Sequence, residues 1–467
     1  MKISGYYRIA AIKLPVKLYC FCRWHFARIL LEQGKETHMF KRILCLAVSI
    51  AAVFTACMGA LCACSVIDNH GSARSDDVTV SGQSPQADSE TDSATVNPDA
   101  EPGWSYSFGS EFIDENGIRY VWDNIDEDTR MNLGEVMNAI RNVQIYCPLT
   151  VGFPKDETKD FLELVSNCSA FYTYAGGIFK THSDDNGMVK GLTIMYSVDY
   201  EEEAEQRSQS LSAALEKIVS EMPVDGSEFE KIKYLHDYLV LNCRYGEDST
   251  SPFTAYGAIV EHMAACQGYA DSLNLLLSRA GFETAFATGE GAQSSIKHKW
   301  CYVKLSDGHW YAIDPTWDDT ESETEQSDYI GYNYFLISDE MLLRDHAAKY
   351  TSRYYNPPVA DSMDMNFHKV MGYMAVDEGS AYNVLKKQAI EAAKEGRRYL
   401  YLRMEDGEKL SQIYEELAKG PSGDNRMQDI IAAANSAAGT DISTVSWVES
   451  LDPKLGTLAI TLKYNEN

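Results

Sequence analysis

In Ala265-Cys266-Gln267-Gly268-Tyr269-Ala270 a cysteine stands where a helix is predicted to begin. The positive end of a helix dipole and its free backbone N–H groups favour thiolate, the reactive form of this side chain. Small neighbours leave the sulfur approachable, and its own N–H can help build an oxyanion hole. A thiolate nucleophile needs an imidazole partner, and the imidazole needs an orienting group. His298, in His298-Lys299-Trp300, and Asp314, in Asp314-Pro315-Thr316-Trp317, supply the right types. Together they would perform acyl transfer. The Cys266 thiolate attacks an amide carbonyl, His298 protonates the departing amine, and water or another amine resolves the thioester.

The elements that must position these groups are legible. Tyr269, Leu273, Leu276, Leu277 and Ala280 share one face of a helix starting near Cys266, and Gly281 ends it. Upstream, Ser227 and Glu230 form a capping-box pattern for a helix through Ile232, Leu235, His236 and Leu239. Strands are predicted at Phe282–Thr288, His298–Leu305 and His309–Asp314. The hairpin register decides whether His298 and Asp314 can meet. A two-residue loop, Asp307-Gly308, pairs Ser306 with His309 and sends them to opposite faces. A three-residue loop, 306–308, pairs Leu305 with His309. It sets Asp314 opposite Trp300 and diagonal to His298 on one face. That loop wants a left-handed glycine, and Gly308 is in place, so the three-residue loop is predicted.

These motifs resemble those of the transglutaminase-like superfamily, a branch of the papain-like cysteine fold: Cys-x-Gly-Tyr-Ala on a helix, His-x-Trp on a strand, and Asp-Pro-Thr-Trp-Asp on the next. His236-Asp237-Tyr238, Ala255-Tyr256-Gly257-Ala258, Tyr334-Phe335 and Asp345-His346 are similar to bacterial members. The resemblance covers roughly 226–350, about a quarter of the chain. It implies an α+β fold in which a Cys-bearing helix packs on an antiparallel sheet bearing His and Asp. It further implies Cys266 as nucleophile, His298 as general acid/base and Asp314 as orienter. Cys301 stands where the family often has Asn after His-x-Trp. Bacterial relatives are protease-like, so the resemblance implies hydrolysis of a protein or peptide, cell-wall peptide included, ahead of cross-linking. The alternative is a catalytically silent binding or scaffolding module at the cell surface.

Secondary candidates for substrate or oxyanion contact are Tyr256, Gln267 and Trp300, with core packing the competing role for Tyr256. Trp300 and Trp317 are expected to pack beside the site, and His236 and His346 to be hydrogen-bonded structural side chains. The acidic run Asp318–Asp328 has the carboxylates calcium favours, but reads as a solvated loop. No CxxC occurs, so a Cys-based zinc site has little support, and no cofactor or metal is expected.

Two flanking α+β regions are expected, 104–225 and 351–467, around a core at 226–350. The first is predicted to hold a helix within Asp126–Asn142, strands at Phe161–Lys180 and Met188–Val198, and a helix at Glu201–Met222. The second should have helices at Tyr382–Ala393, Lys409–Ala418 and Met427–Ala437. Its strands are predicted at Tyr399–Met404, Thr444–Glu449 and Thr457–Lys463.

The 467 residues carry a net charge of −28. Residues 1–64 carry +7, leaving −35 on the other 403, a balance that repels phosphate backbones and argues against nucleic acid as partner. Ile43–Ala63 is an uncharged run after Lys41-Arg42 and reads as a secretory signal. Met39 is its expected initiator, with 1–38 a mis-assigned start. Leu61-Cys62-Ala63-Cys64 resembles the lipobox of bacterial lipoproteins, which implies lipidation of Cys64, with Cys57 a weaker candidate. An uncleaved anchor or plain secretion are the alternatives. Each places the body outside the cytoplasm, the lipid or anchor holding it at the membrane. Residues 65–103, rich in Ser, Asp, Thr and Pro, read as a disordered tether. Of 11 cysteines, five lie in the body: Cys147, Cys168, Cys243, Cys266 and Cys301. An odd number leaves at least one unpaired, with disulfides among the others open.

Overall fold

A computed structural model describes residues 109–198, 201–291, 297–319, 328–347, 353–419, 426–446 and 451–465. All lie within one compact unit, Asp77–Asn467. The signal segment with Cys64 and Cys57, the tether and positions 320–327 of the acidic run lie outside the described residues. Among the described residues no helix is long and apolar enough to cross a membrane.

The N-terminal region opens with short helices at Gly109–Asn116 and Arg119–Asn124, then a longer one at Glu127–Arg141. Asp126 caps the last by accepting from Thr129 N, so the predicted helix sits between its predicted limits. Strands β1 (Tyr146–Pro154), β2 (Ala175–Ser183) and β3 (Met188–Tyr196) form an antiparallel sheet in the order β1-β3-β2. The strand expected at Phe161–Lys180 is corrected. Thr158–Cys168 is a helix whose buried Phe161, Leu164, Val165 and Cys168 recur at helical spacing, and extended backbone starts only at Ala175. The helix Glu201–Ser220 follows, burying Leu211, Leu215 and Ile218.

The capping box of Ser227 and Glu230 is present at the start of Glu228–Asn242. Short strands β4 (Arg244–Tyr245) and β5 (Met263–Ala264) pair in parallel. They bracket the helix Ala255–Ile259. The helix Cys266–Arg279 comes next and closes with Gly281 at φ +90°. The main sheet runs β8-β7-β6-β9, antiparallel throughout: β6 (Glu283–Gly291), β7 (Lys297–Lys304), β8 (Trp310–Ile313) and β9 (His346–Ala347). Cys301 pairs with Ile313 and Tyr302 with Ala312. Leu305 N donates to His309 O at 3.1 Å, and Gly308 has φ +86°. The three-residue hairpin loop and its register are therefore as predicted.

One buried apolar cluster runs from Phe112 to Tyr373 and crosses residue 225 without a break. A second, Ala375 to Leu462, belongs to the C-terminal sheet β10-β11-β13-β12. Its strands are β10 (Met374–Ala375), β11 (Tyr399–Met404), β12 (Ile442–Ser446) and β13 (Thr457–Tyr464). Helices Glu378–Glu395, Gly407–Lys419 and Arg426–Ala438 contribute to this cluster. Tyr401, on β11, packs instead against the larger cluster.

Candidate active site

Cys266 opens its helix behind Ala265, whose backbone is extended and offers no side-chain cap. The first-turn N–H groups are therefore left for other acceptors. Gly268 is required one turn in, because a Cβ there would lie 2.6 Å from Ala264 Cβ and 2.7 Å from Thr254 O. The helix lies against β7. Lys299 and Cys301 face it: Cys301 Sγ donates to Ala270 O at 3.0 Å, and Lys299 Nζ is ion-paired with the buried Asp271. The alternate residues His298 and Trp300 point to the other side of the sheet.

Cys266 is part-exposed, and its Sγ lies 3.8 Å from Lys297 O. It also hydrogen-bonds the His298 ring. His298 Nε2 lies 2.6 Å from Asp314 Oδ2, which leaves the other ring nitrogen for the sulfur. Asp314 sits just past β8 as the N-cap of Pro315–Asp318, where its Oδ1 accepts from Thr316 N at 3.0 Å and Trp317 N at 3.4 Å. All three predicted side chains therefore converge. Burial alone would lower the His298 pKa. The charge and hydrogen bond of Asp314, with help from Cys266, outweigh it and raise the imidazole to about 10. Burial would raise Asp314, but the His298 charge and hydrogen bond, with His346, hold it well below the usual carboxylate range. Asp314 and Cys266 thus both favour the protonated form of the His298 ring.

The secondary candidates fare differently. Trp300 is fully buried and stacks behind His298 with centroids 6.0 Å apart, so it is a packing residue out of a substrate's reach. Gln267 hydrogen-bonds the Asp271 carboxylate. Tyr256 packs on the main core, and the Arg207 guanidinium lies 5.5 Å from its ring centre. Trp317, half-buried, flanks His298 at 5.3 Å.

The acidic run begins inside the core, which corrects its reading as a solvated loop at that end. Asp318 is buried, with Oδ2 3.2 Å from His236 Nε2. Tyr269 donates its hydroxyl to Asp319 Oδ2 at 2.5 Å. His236 is raised to about 8: Asp237 and Asp318 on its two nitrogens overcome burial. All five cysteines among the described residues are free thiols. Burial pushes Cys147, Cys168 and Cys243 up to about 12, and Cys301 is buried too, which sets the part-exposed Cys266 apart.

Sequence reasoning placed His346 among hydrogen-bonded structural side chains but missed its attachment to the triad. His346 Nε2 lies 3.0 Å from Asp314 Oδ2, while Nδ1 faces Asp345. Asp345-His346 stood out as a motif, but 32 residues separate His346 from Asp314 and no periodicity links them. Among the described residues, His298, Asp314 and His346 are the group whose ligand-capable atoms lie within 4.8 Å of one another. Those atoms are engaged with each other in hydrogen bonds.

Residues 212–315 match the family model of the transglutaminase-like superfamily, and that stretch includes Cys266, His298 and Asp314. This part of the chain is a transglutaminase-like domain in a mixed α+β fold. No curated protein matches. Among solved structures, a TGase is 15% identical over 32% of this chain and 46% of its own, with TM-score 0.22. A candidate cysteine protease from Cytophaga hutchinsonii is 15% identical over 30% and 61%, with TM-score 0.20. A candidate protease from Parabacteroides distasonis is 14% identical over 32% and 41%, with TM-score 0.16. The matched part is less than two thirds of each of those chains.

Proposed function

We propose that the protein is an exported cysteine enzyme that cleaves amide bonds in a peptide or protein through a thioester. The observation that carries this reading is the junction of Cys266, His298 and Asp314, with His298 Nε2 2.6 Å from Asp314 Oδ2. The Cys266 thiolate adds to the carbonyl carbon, and its own backbone N–H, at the start of its helix, faces the oxyanion. His298 passes its proton to the amine nitrogen, the C–N bond breaks, and a thioester remains. The neutral imidazole then takes a proton from water, hydroxide adds to the thioester, and the thiolate leaves. Hydrolysis is favoured over cross-linking because Cys266 is part-exposed, so a thioester there meets water. Export rests on the uncharged run Ile43–Ala63, and Cys64 is the proposed lipid attachment point.

Incubation with a labelled primary amine and a peptide library, comparing wild type with Cys266→Ala, tests the chemistry. Cleavage that disappears in the variant is the expected result. Amine incorporation without cleavage makes the protein a transferase, and neither reaction removes the enzyme reading. Loss of fatty-acid labelling in Cys64→Ala checks the anchor.

A further inference from the structure

The triad carboxylate serves a second imidazole. His346 Nε2 lies 3.0 Å from Asp314 Oδ2, the same oxygen that His298 Nε2 approaches at 2.6 Å. His346 Nδ1 lies 2.8 Å from Asp345 Oδ1, and Tyr334 donates its hydroxyl to Asp345 Oδ2 at 2.6 Å. A neutral imidazole has one N–H and one acceptor nitrogen. A ring with an ionised carboxylate oxygen at each nitrogen carries two protons and is a cation. His346 is buried, with Trp317 at 4.1 Å, Tyr334 at 5.2 Å and the His298 ring at 5.4 Å. Beyond Asp345, Asp452 and Lys454 are the charged groups on a shared cavity of about 490 Å³. Side chains thus connect in a row: Cys266, His298, Asp314, His346, Asp345.

We propose that His346 is a buried cation that takes part of the Asp314 charge and so limits how tightly His298 holds its proton. This makes His346 a positioning residue for the thiol–imidazole chemistry proposed above, and the inference rests on that reading. Two imidazolium rings on one carboxylate oxygen each weaken the other's hold on a proton. Burial alone would lower the His346 pKa, yet the two carboxylates raise it, while the His298 charge opposes them. The consequence falls on the acid step. An imidazolium bound too firmly to Asp314 surrenders its proton slowly to the leaving amine, and an acid works best when its pKa lies near the working pH. His346 moves His298 in that direction.

The test follows the alkaline ionisation of His298 in the full chain by the NMR signals of isotope-labelled histidine, assigned against His298→Gln. The alkaline limb of iodoacetamide reaction at Cys266, quantified by peptide mass spectrometry, is followed in parallel. His346→Gln and Asp345→Asn are compared with wild type. Asp345→Asn keeps the ring in place and removes the counter-charge that makes it a cation, so it carries the test if His346→Gln does not fold. Both variants are expected to move the His298 ionisation up by about one pH unit, the size of one interaction with a charged group. A purely structural role predicts the reverse, because a loosened Asp314 would move that ionisation down. An unchanged or lowered ionisation overturns the inference. Absence of fast alkylation of wild-type Cys266 at pH 6 instead overturns the thiol–imidazole reading beneath it.

Discussion

At the scale of single residues, the His298–Asp314 pair makes stability depend on pH in a defined sense. His298 is raised from 6.5 to about 10 in the folded protein. A proton held more tightly by the folded than the unfolded state stabilises the fold fully below about 6.5, and that contribution is lost as pH climbs towards 10. Asp314 is depressed from 3.8, so its share is present above that value and is lost as pH falls further into acid. Melting temperature is therefore expected to decline from pH 6.5 to 10 in wild type and to decline less in Asp314→Asn, measured by calorimetry across that range. The same variant should lose about 10²- to 10⁴-fold in turnover, the usual worth of a general acid/base held in place. Equal pH slopes in the two proteins would remove the pair as the source. The meeting of Cys266, His298 and Asp314 was legible because each side chain's type and neighbours mark it. His346 was not, since its contact with Asp314 joins positions 32 residues apart that no local pattern links.

At the scale of elements, the site depends on fixing the Cys266 helix against β7. Lys299 Nζ, its side chain 4% exposed, is ion-paired with Asp271, also 4% exposed, and lies 4.4 Å from the Phe286 ring centre. Asp271 also takes the hydrogen bond of Gln267, next to Cys266. Removing one partner of a buried pair strands the other charge, so Lys299→Ala is expected to cost about 3–5 kcal/mol in denaturant unfolding. The double variant Lys299→Met, Asp271→Leu should recover most of that loss, since an apolar pair leaves no charge behind. A double variant as unstable as the single one would refute this account. Gly268→Ala is expected to act more on chemistry than on stability. Its Cβ meets a backbone carbonyl at 2.7 Å and must shift the helix's first turn, so alkylation of Cys266 should slow. The hairpin register was legible because one glycine fixes it, and the Asp126–Asn142 helix because its cap and apolar stripe agree. Phe161–Lys180 was misread because a helix and a strand adjoin there. Its bulky apolar and aromatic residues suit a strand locally, while the helical spacing extends only to Cys168. The pairing of β9 with β6 has no local signal at all, and it is what brings His346 to the triad.

At the scale of the whole molecule, the C-terminal sheet joins the larger apolar cluster through aromatic side chains. Leu400, Leu402 and Met404 on β11 point into the C-terminal cluster, while Tyr401 points the other way. Tyr401 lies 5.3 Å from Phe367 and 5.4 Å from Tyr332, which stack on each other at 3.7 Å. Its hydroxyl donates to Ile330 O at 2.9 Å. Ile330 and Tyr332 lie between Asp318 and Tyr334, whose carboxylate and backbone N–H are themselves hydrogen-bonded at 3.0 Å beside the site. The two clusters therefore have a shared boundary built from large rings, and unfolding one uncovers the other. Chemical denaturation is expected to give one transition for both, read by protection of main-sheet amides for the larger cluster and of C-terminal amides for the second. Tyr401→Phe should cost about 1 kcal/mol, the net worth of one hydrogen bond. Tyr401→Ala should cost about 3–5 kcal/mol through the cavity it leaves. In that variant the two probes should separate, with the C-terminal amides exchanging first, because the loss falls on the boundary rather than inside either core. Two transitions already present in wild type would mean that the cores are stable separately and that the aromatic boundary contributes only contact.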